Sequence, residues 1–460
     1  MYINNYKFLC QFLCFVFLLT ACKKAVQVDL PVTELTSASV YTNDLKATAA
    51  MLGIYSRMAG SSFAPGAMQS ISVVTALSAD ELQDYSFSTA NTEFYLNGIT
   101  PANGSNLAIW RTCYQLIYQA NAVMEGLDGA TGVSPAVKQQ LRGEALFMRA
   151  FLHFYLVNLW GDVPFISTTD YRANASVARL PVAAVYQQIM ADLTLASKLM
   201  KEEYMDADRS RPNKYAALAL QARVQLFMGD WQKAAEAASA VIANGNYQLV
   251  ADPALVFQRS SMETIWQLYP VFPNYNASEG YYYMLTDAPS YVALPASFVQ
   301  SFEAGDLRRE QWINSYTGNG QTFFFPYKYR VRYAADVTEC SIVLRLAECY
   351  LIRAEARARL GMLTGNGSAA EDLDIVRSRA SLPASNAQTL EEILLAIENE
   401  RRFELFTEWG HRWLDLKRWK RADAVLGQAK APHWQSRDTL YPVPLKELLN
   451  NQHLTQNNGY

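Results

Sequence analysis

Residues 213–245 read NKYAALALQARVQLFMGDWQKAAEAASAVIANG, and no other stretch constrains the fold as much. Leu220, Val224 and Phe227 recur at the spacing of one helix face. Gly229-Asp230 makes a tight break. Trp231 then begins an Ala-rich helix that stops near Asn244-Gly245. The small Ala side chains let two helices approach closely. A helix–turn–helix unit of this kind buries its apolar face only by stacking on further units, as tetratricopeptide repeats do. Residues 341–380 repeat the idea, with SIVLRLAECYLIRAEARARLG, a Gly/Asn turn and AAEDLDIVRSRA. On this reading Cys340 and Cys349 fall at the start and middle of one helix, too far apart to bridge. The two units do not fall at a fixed period. That argues against a regular solenoid and for long insertions between repeats.

Two more helices are legible. Leu141, Ala145, Met148, Leu152, Tyr155 and Leu159 share a face. The second half of that segment, FLHFYLVNLW, is apolar nearly all round and predicts burial on most sides. Ser134-Pro135 supplies an N-cap and a first-turn proline, and Gly161 and Pro164 end the helix. Thr389 and Glu392 have the spacing of a capping box. From there an apolar line starts at Ile393 and Ile397 and runs into Glu400 and Glu404, with Arg401 and Arg402 alongside. Inward-facing carboxylates must be paired, because an unpaired buried charge costs several kcal/mol. Glu400 or Glu404 is therefore expected to meet an Arg, such as one from the Leu344–Arg359 helix.

Two regions break the helical pattern. Residues 246–340 are rich in Tyr, Phe, Pro and Asn; TIWQLYP and TFFFPYKYRVRY within them are β-prone. Residues 78–106 form a second irregular stretch. Loops on a rigid scaffold are where function concentrates. The whole chain holds 27 Tyr, 21 Phe and 9 Trp in 460 residues. A formal net charge of -3 argues against a nucleic-acid binder driven by counterion release. A mean hydropathy of -0.07 is too low for a bundle of membrane-spanning helices.

The N-terminus reads as an address. Residues 8–20 form a short apolar run after Lys7, of the kind found in a secretory signal. It ends in Leu19-Thr20-Ala21-Cys22, which resembles a bacterial lipobox. Residues 1–21 would then be removed and Cys22 lipidated, with residues 22–40 as an extended linker. Acidic residues, common just after the lipidated Cys in exported lipoproteins, are absent until Asp29. Of the remaining cysteines, Cys113, Cys340 and Cys349 show no zinc or disulfide spacing and are expected to be buried free thiols.

Taken together, the lipobox, LFMRAFLHFYLVNLWGDVPF (146–165), ALQARVQLFMGDWQKA (219–234), LRLAECYLIRAEA (344–356), ENERRFELFTEWGHRWLDLKRW (398–419) and YPVPLKELLNNQHLTQNNGY (441–460) resemble the SusD/RagB family of nutrient-uptake lipoproteins. The blocks stand in family order along essentially the whole mature chain. The resemblance implies a mainly all-α fold, with four tetratricopeptide-like helix pairs in a right-handed superhelical scaffold, loop-rich insertions and a few short strands. It implies a single domain over residues 41–460. It also implies a non-enzymatic protein, lipid-anchored at the outer membrane and facing the cell exterior. Such a protein captures oligosaccharides for a SusC-like TonB-dependent transporter. A peptide ligand on the same architecture is the alternative.

Sugar binding needs flat aromatic faces and polar groups for hydroxyls, which in this family come mostly from loops on one face. Asp80-Glu81 resembles an acidic pair that opens the ligand-facing loop in relatives. The candidates are Asp80, Tyr85, Phe87 and Asn97 from the first irregular region, and Tyr281, Tyr282 and Trp312 from the second. Tyr281, Tyr282 and Tyr283 cannot all face one way if extended. Each aromatic could instead fill a small core beneath its loop. An enzyme reading of Glu398, Glu400 and Glu404 is disfavoured, since Arg neighbours depress carboxylate pKa and remove the general acid. His153, in an apolar helix, reads as a satisfied core residue. No His or oxygen-ligand motif places a metal, and no cofactor is implied.

Overall fold

A computed structural model describes residues 40–61, 63, 64 and 68–460; the leader and Cys22 lie outside them. Its first helices are α1 (Asp44–Ala59), α2 (Ile71–Ser78), α3 (Thr89–Tyr95), α4 (Gly104–Asp128) and α5 (Pro135–Trp160). Next come α6 (Val182–Leu199), α7 (Lys214–Met228), α8 (Trp231–Ile242) and the short α9 (Ser278–Tyr283). The last long helices are α10 (Leu346–Arg359), α11 (Ala369–Arg379), α12 (Leu390–Glu404) and α13 (His411–Arg418). Packing follows chain order: α4 on α5, α5 on α6, α6 on α7, α7 on α8, α8 on α10, and α10 on α11 and α12. This is a tetratricopeptide-like superhelix.

Local signals account for much of it. Gly229 ends α7 at φ 77, a left-handed turn that costs glycine little, and the Asp230 side chain caps α8 through the Lys233 amide. Thr389 and Glu392 close the capping box of α12 in both directions. From Leu146 to Trp160 every residue of α5 except Asn158 is buried. Phe147 and Phe151 meet Trp266 at 5.0 and 5.3 Å, and Phe151 meets Trp409 at 5.7 Å. The helix is thus enclosed by the insertion on one side and the C-terminal region on the other. Gly143 sits so close to α6 that a Cβ would lie 2.6 Å from Met200.

Two expectations are corrected. Ser134 does not cap α5: its hydroxyl donates to Asp44 instead, at 2.8 Å, tying α5 to α1. And α10 begins at Leu346, not at Ser341. Residues 341–345 form β6, antiparallel to β2 (Thr264–Leu268), and both strands are buried along their length. An apolar run too short to show its period cannot be told from a buried helix turn, and the β2 partner decides it. Cys113, Cys340 and Cys349 are all buried and unpaired.

The remaining strands are β1 (Gln83–Asp84), β3 (Val292–Ala293), β4 (Ile313–Gly318) and β5 (Gln321–Pro326). β4 and β5 form a hairpin whose turn, Asn319-Gly320, has positive φ at both positions, the geometry that matches strand twist. The β-prone TFFFPYKYRVRY stretch is a strand only to Pro326. Among the described residues no helix is long and apolar enough to cross a membrane.

A buried ion network clamps the insertion to the scaffold. Arg308 reaches Glu400 at 2.5 Å, Glu404 at 3.0 Å and Asp306 at 2.8 Å. Arg345 reaches Glu404 at 2.5 Å and Glu408 at 2.8 Å, and Arg379 pairs with both Glu263 and Glu404. The expected Arg partner for Glu404 from the 344–359 segment is therefore Arg345, at the strand end rather than on the helix. Burial would raise the Glu404 pKa, but Arg379, Arg345 and Arg308 overcome it and hold the carboxyl well below its ordinary value. Glu400 goes the other way: burial outweighs Arg308 and its pKa rises, contrary to the expected depression.

Candidate functional site: an aromatic surface

The two irregular regions meet along three residue pairs. Gln83 pairs with Ala293 and Asp84 with Val292, and the Tyr85 amide donates to the Tyr291 carbonyl at 2.8 Å. Leu294 bridges on to Phe324 of β5. This pairing lays residues 83–85 beside 291–293, with Tyr85 against Phe323 of the β4–β5 hairpin.

Within the second region the rings form a continuous line. Phe272 meets Tyr275 at 6.0 Å, and Tyr275 meets Tyr333 at 5.0 Å and Tyr281 at 5.5 Å. Tyr281 meets Tyr333 at 5.3 Å and Tyr282 at 4.9 Å, and Tyr282 meets Tyr291 at 6.1 Å. Phe272 and Tyr333 are more than half exposed, at 52% and 55%. Tyr281, Tyr282 and Tyr283 lie on helix α9, not on a strand, so successive rings diverge by about 100°. Tyr281 and Tyr282 are half-buried and Tyr283 is buried. The Arg332 guanidinium lies 5.2 Å from the Tyr281 ring and donates to Thr286 at 3.1 Å. Hydrogen bonding with Tyr275 and Tyr281 raises the Tyr333 phenol above its ordinary pKa.

Tyr85 is half-buried and sets its ring edge-on to Phe323 at 5.7 Å. Phe87 is fully exposed, beside an open hollow lined by Thr89, Thr92, Glu93 and Leu96. Flat exposed rings interleaved with hydroxyls and one guanidinium can stack on a ring-shaped ligand and bond its polar rim. Among the described residues, no group of three or more His, Cys, Asp or Glu side chains is placed to hold a metal ion.

Three candidates are corrected to structural positions. Trp312 is fully buried; its indole donates to the Pro253 carbonyl at 2.7 Å. Asn97 is buried at φ 57, a conformation Asn tolerates, and its amide donates to the Ser78 carbonyl at 3.0 Å. Asp80 is held by Arg412 at 2.8 and 3.1 Å and by Arg402 at 3.0 Å. Burial raises its pKa, but Arg412 and then Arg402 overcome this and leave it below the ordinary value. These pairs tie the start of the loop to α12 and α13. His153 is a core residue: its Nδ1 lies 2.8 Å from the Arg149 carbonyl, and burial lowers its pKa to about 3.

Sequence reasoning missed Phe272, Tyr291, Phe323, Tyr333 and Arg332. Their only signal is membership of a Tyr- and Phe-rich irregular segment; no periodicity marks which rings face out.

The comparisons agree on one family. Residues 50–226 match the family described as "Starch-binding associating with outer membrane", and residues 297–460 match the SusD family. A SusD-like protein of Formosa agariphila is 26% identical over 76% of this chain and 79% of its own length. Among solved structures, a laminarin-binding SusD-like protein superposes with a TM-score of 0.77 at 24% identity, covering 91% of this chain and all of its own. Surface glycan-binding protein A of Bacteroides thetaiotaomicron does so with a TM-score of 0.75 at 20% identity and the same coverage. Helix pairs in family order, the insertion clamped upon them and these matches lead to one conclusion: the chain belongs to the SusD/RagB family.

Proposed function

We propose that this protein is a non-enzymatic glycan-binding lipoprotein. It captures oligosaccharides on the Phe272–Tyr275–Tyr281–Tyr282–Tyr291–Tyr333 surface, with Tyr85 and Phe87 at its margin, and delivers them to a TonB-dependent outer-membrane transporter. Lipidation at Cys22 would hold it at the outer membrane, facing outward. The observation that carries this reading is the continuity of the rings from Phe272 to Tyr333, with Tyr85 of the other irregular region held alongside by the β1–β3 pairing. Aromatic faces stack on the C–H faces of pyranose rings and tolerate many hydroxyl patterns. The starch-binding description of the matched family supports a carbohydrate ligand, as do the glycan-related names of two fold neighbours. The Glu398–Glu404 carboxylates do not make a hydrolytic pair: Glu400 and Glu404 are spent on buried arginines.

Isothermal titration against maltooligosaccharides, laminarin and other soluble plant and host glycans tests the reading. Saturable binding to at least one, without turnover, is the expected result. Binding to peptide pools and to no glycan would overturn it in favour of a peptide-binding module.

A further inference from the structure

Helix α9 has two faces. Tyr281 and Tyr282 stand outward, while Glu279 and Tyr283 are buried beneath them. Gly280 presses against residue 331, where a Cβ would lie 2.6 Å from the Val331 carbonyl oxygen. Under the helix is a cavity of about 10 Å³, walled by Glu279, Tyr283, Lys328, Tyr329, Thr407 and Glu408 among others. That is room for about one water molecule.

Glu279 is an unusual foot for such a helix. Its Oε1 accepts from the Ser341 hydroxyl of β6 at 2.5 Å, but its Oε2 and the Tyr283 hydroxyl have no protein partner. Among the described residues no cation pairs with it. Lys328 spends its ammonium on Glu408 at 2.5 Å and on the carbonyls of Glu404 and Phe406, both at 2.9 Å. Arg345 is spent on Glu404 and Glu408. The other groups around it are Tyr329, Glu339 and, beyond Thr407, Glu81; none supplies positive charge. A carboxylate here would be buried and uncompensated, whereas the neutral acid can donate into the cavity. Burial, opposed by the Ser341 hydrogen bond, pushes its pKa up to about 7.

We propose that Glu279 is a positioning residue for the aromatic surface: as the neutral acid it seats α9 against β6, and as the carboxylate it loosens the helix that carries Tyr281 and Tyr282. The sign follows from a folded-state pKa above the ordinary 4.5. The seating contribution is whole below pH 4.5 and is lost as the pH rises toward 7 and beyond. The consequence for ligand capture rests on the glycan-surface reading above; the seating itself does not.

Hydrogen exchange of the intact chain, corrected for intrinsic rates and compared at pH 5.5 and 8.5, tests it without any ligand. Protection of the 279–284 amides should fall by about fivefold or more in the wild type. It should stay nearly constant in Glu279→Gln and still fall in Glu81→Gln, whose parent acid, buried and beside Asp80, is pushed up to about 8. Ser341→Ala removes a bond that favours the charged form, so it should move the fall to higher pH; this holds the test open if Glu279→Gln does not fold. Equal wild-type protection at both pH values, a persisting fall in Glu279→Gln, or an unmoved fall in Ser341→Ala would each overturn the proposal. Absence of glycan binding would sink the function reading alone, since exchange decides this one separately.

Discussion

The indole nitrogen of Trp312 donates to the Pro253 carbonyl at 2.7 Å, inside a ring of cations. Lys328, Arg379 and Arg345 lie 4.8, 5.2 and 6.0 Å from its ring. Trp312 thus roofs the ion network that holds the insertion on the scaffold. Trp312→Ala should cost about 3–5 kcal/mol, the range for emptying a large aromatic site. Urea denaturation measures it. An unchanged midpoint with weakened ligand binding would return Trp312 to the surface role its sequence suggested.

Tyr281 and Tyr282 should behave oppositely. Each half-exposed ring is expected to contribute about 1 kcal/mol by stacking, so each Ala variant should weaken glycan binding roughly fivefold. Stability should change little. Phe87→Ala, at a fully exposed position, should leave the midpoint in place. Titration calorimetry beside thermal melts separates the two effects.

Glu404 serves three arginines, so Glu404→Gln should cost about 3–5 kcal/mol at pH 7 by leaving buried charge unpaired. Its pH signature has a definite sign. The folded carboxyl lies well below 4.5, so its contribution is whole above pH 4.5 and is lost as pH falls through the folded value. The wild type should lose stability steeply below about pH 4.5 and the Gln variant less so. Parallel acid curves for the two proteins would refute the assignment.

Burial pushes the thiols of Cys113, Cys340 and Cys349 up, Cys340 to about 12. A chain beginning after Cys22 should therefore be inert to a thiol reagent at pH 8 and release three equivalents once unfolded in guanidinium. Rapid labelling of the native protein would show an exposed thiol.

The helix pairs could be read because their signals are local. The apolar face of Leu220, Val224 and Phe227, the turn at Gly229 and the Thr389–Glu392 box each depend on residues within one or two turns. Ser341–Arg345 was misread because five apolar and polar residues carry no clear period, and its strand character comes from Thr264–Leu268 far along the chain. Asp80 reads in the sequence as an acid at the loop mouth, but its partners Arg402 and Arg412 come from the C-terminal helices, which no local spacing signals.

From residue order alone came the family, the helical scaffold and the two irregular regions, because each is written in spacing and type over short spans. Which rings stay exposed was decided elsewhere. Exposure is a property of what packs on the other side. Gln83 meeting Ala293, Tyr275 meeting Tyr333 and Trp312 sinking among arginines are all contacts between distant segments. A tyrosine in a loop has the same chemistry in a core or on a surface, and only the folded neighbours choose between them.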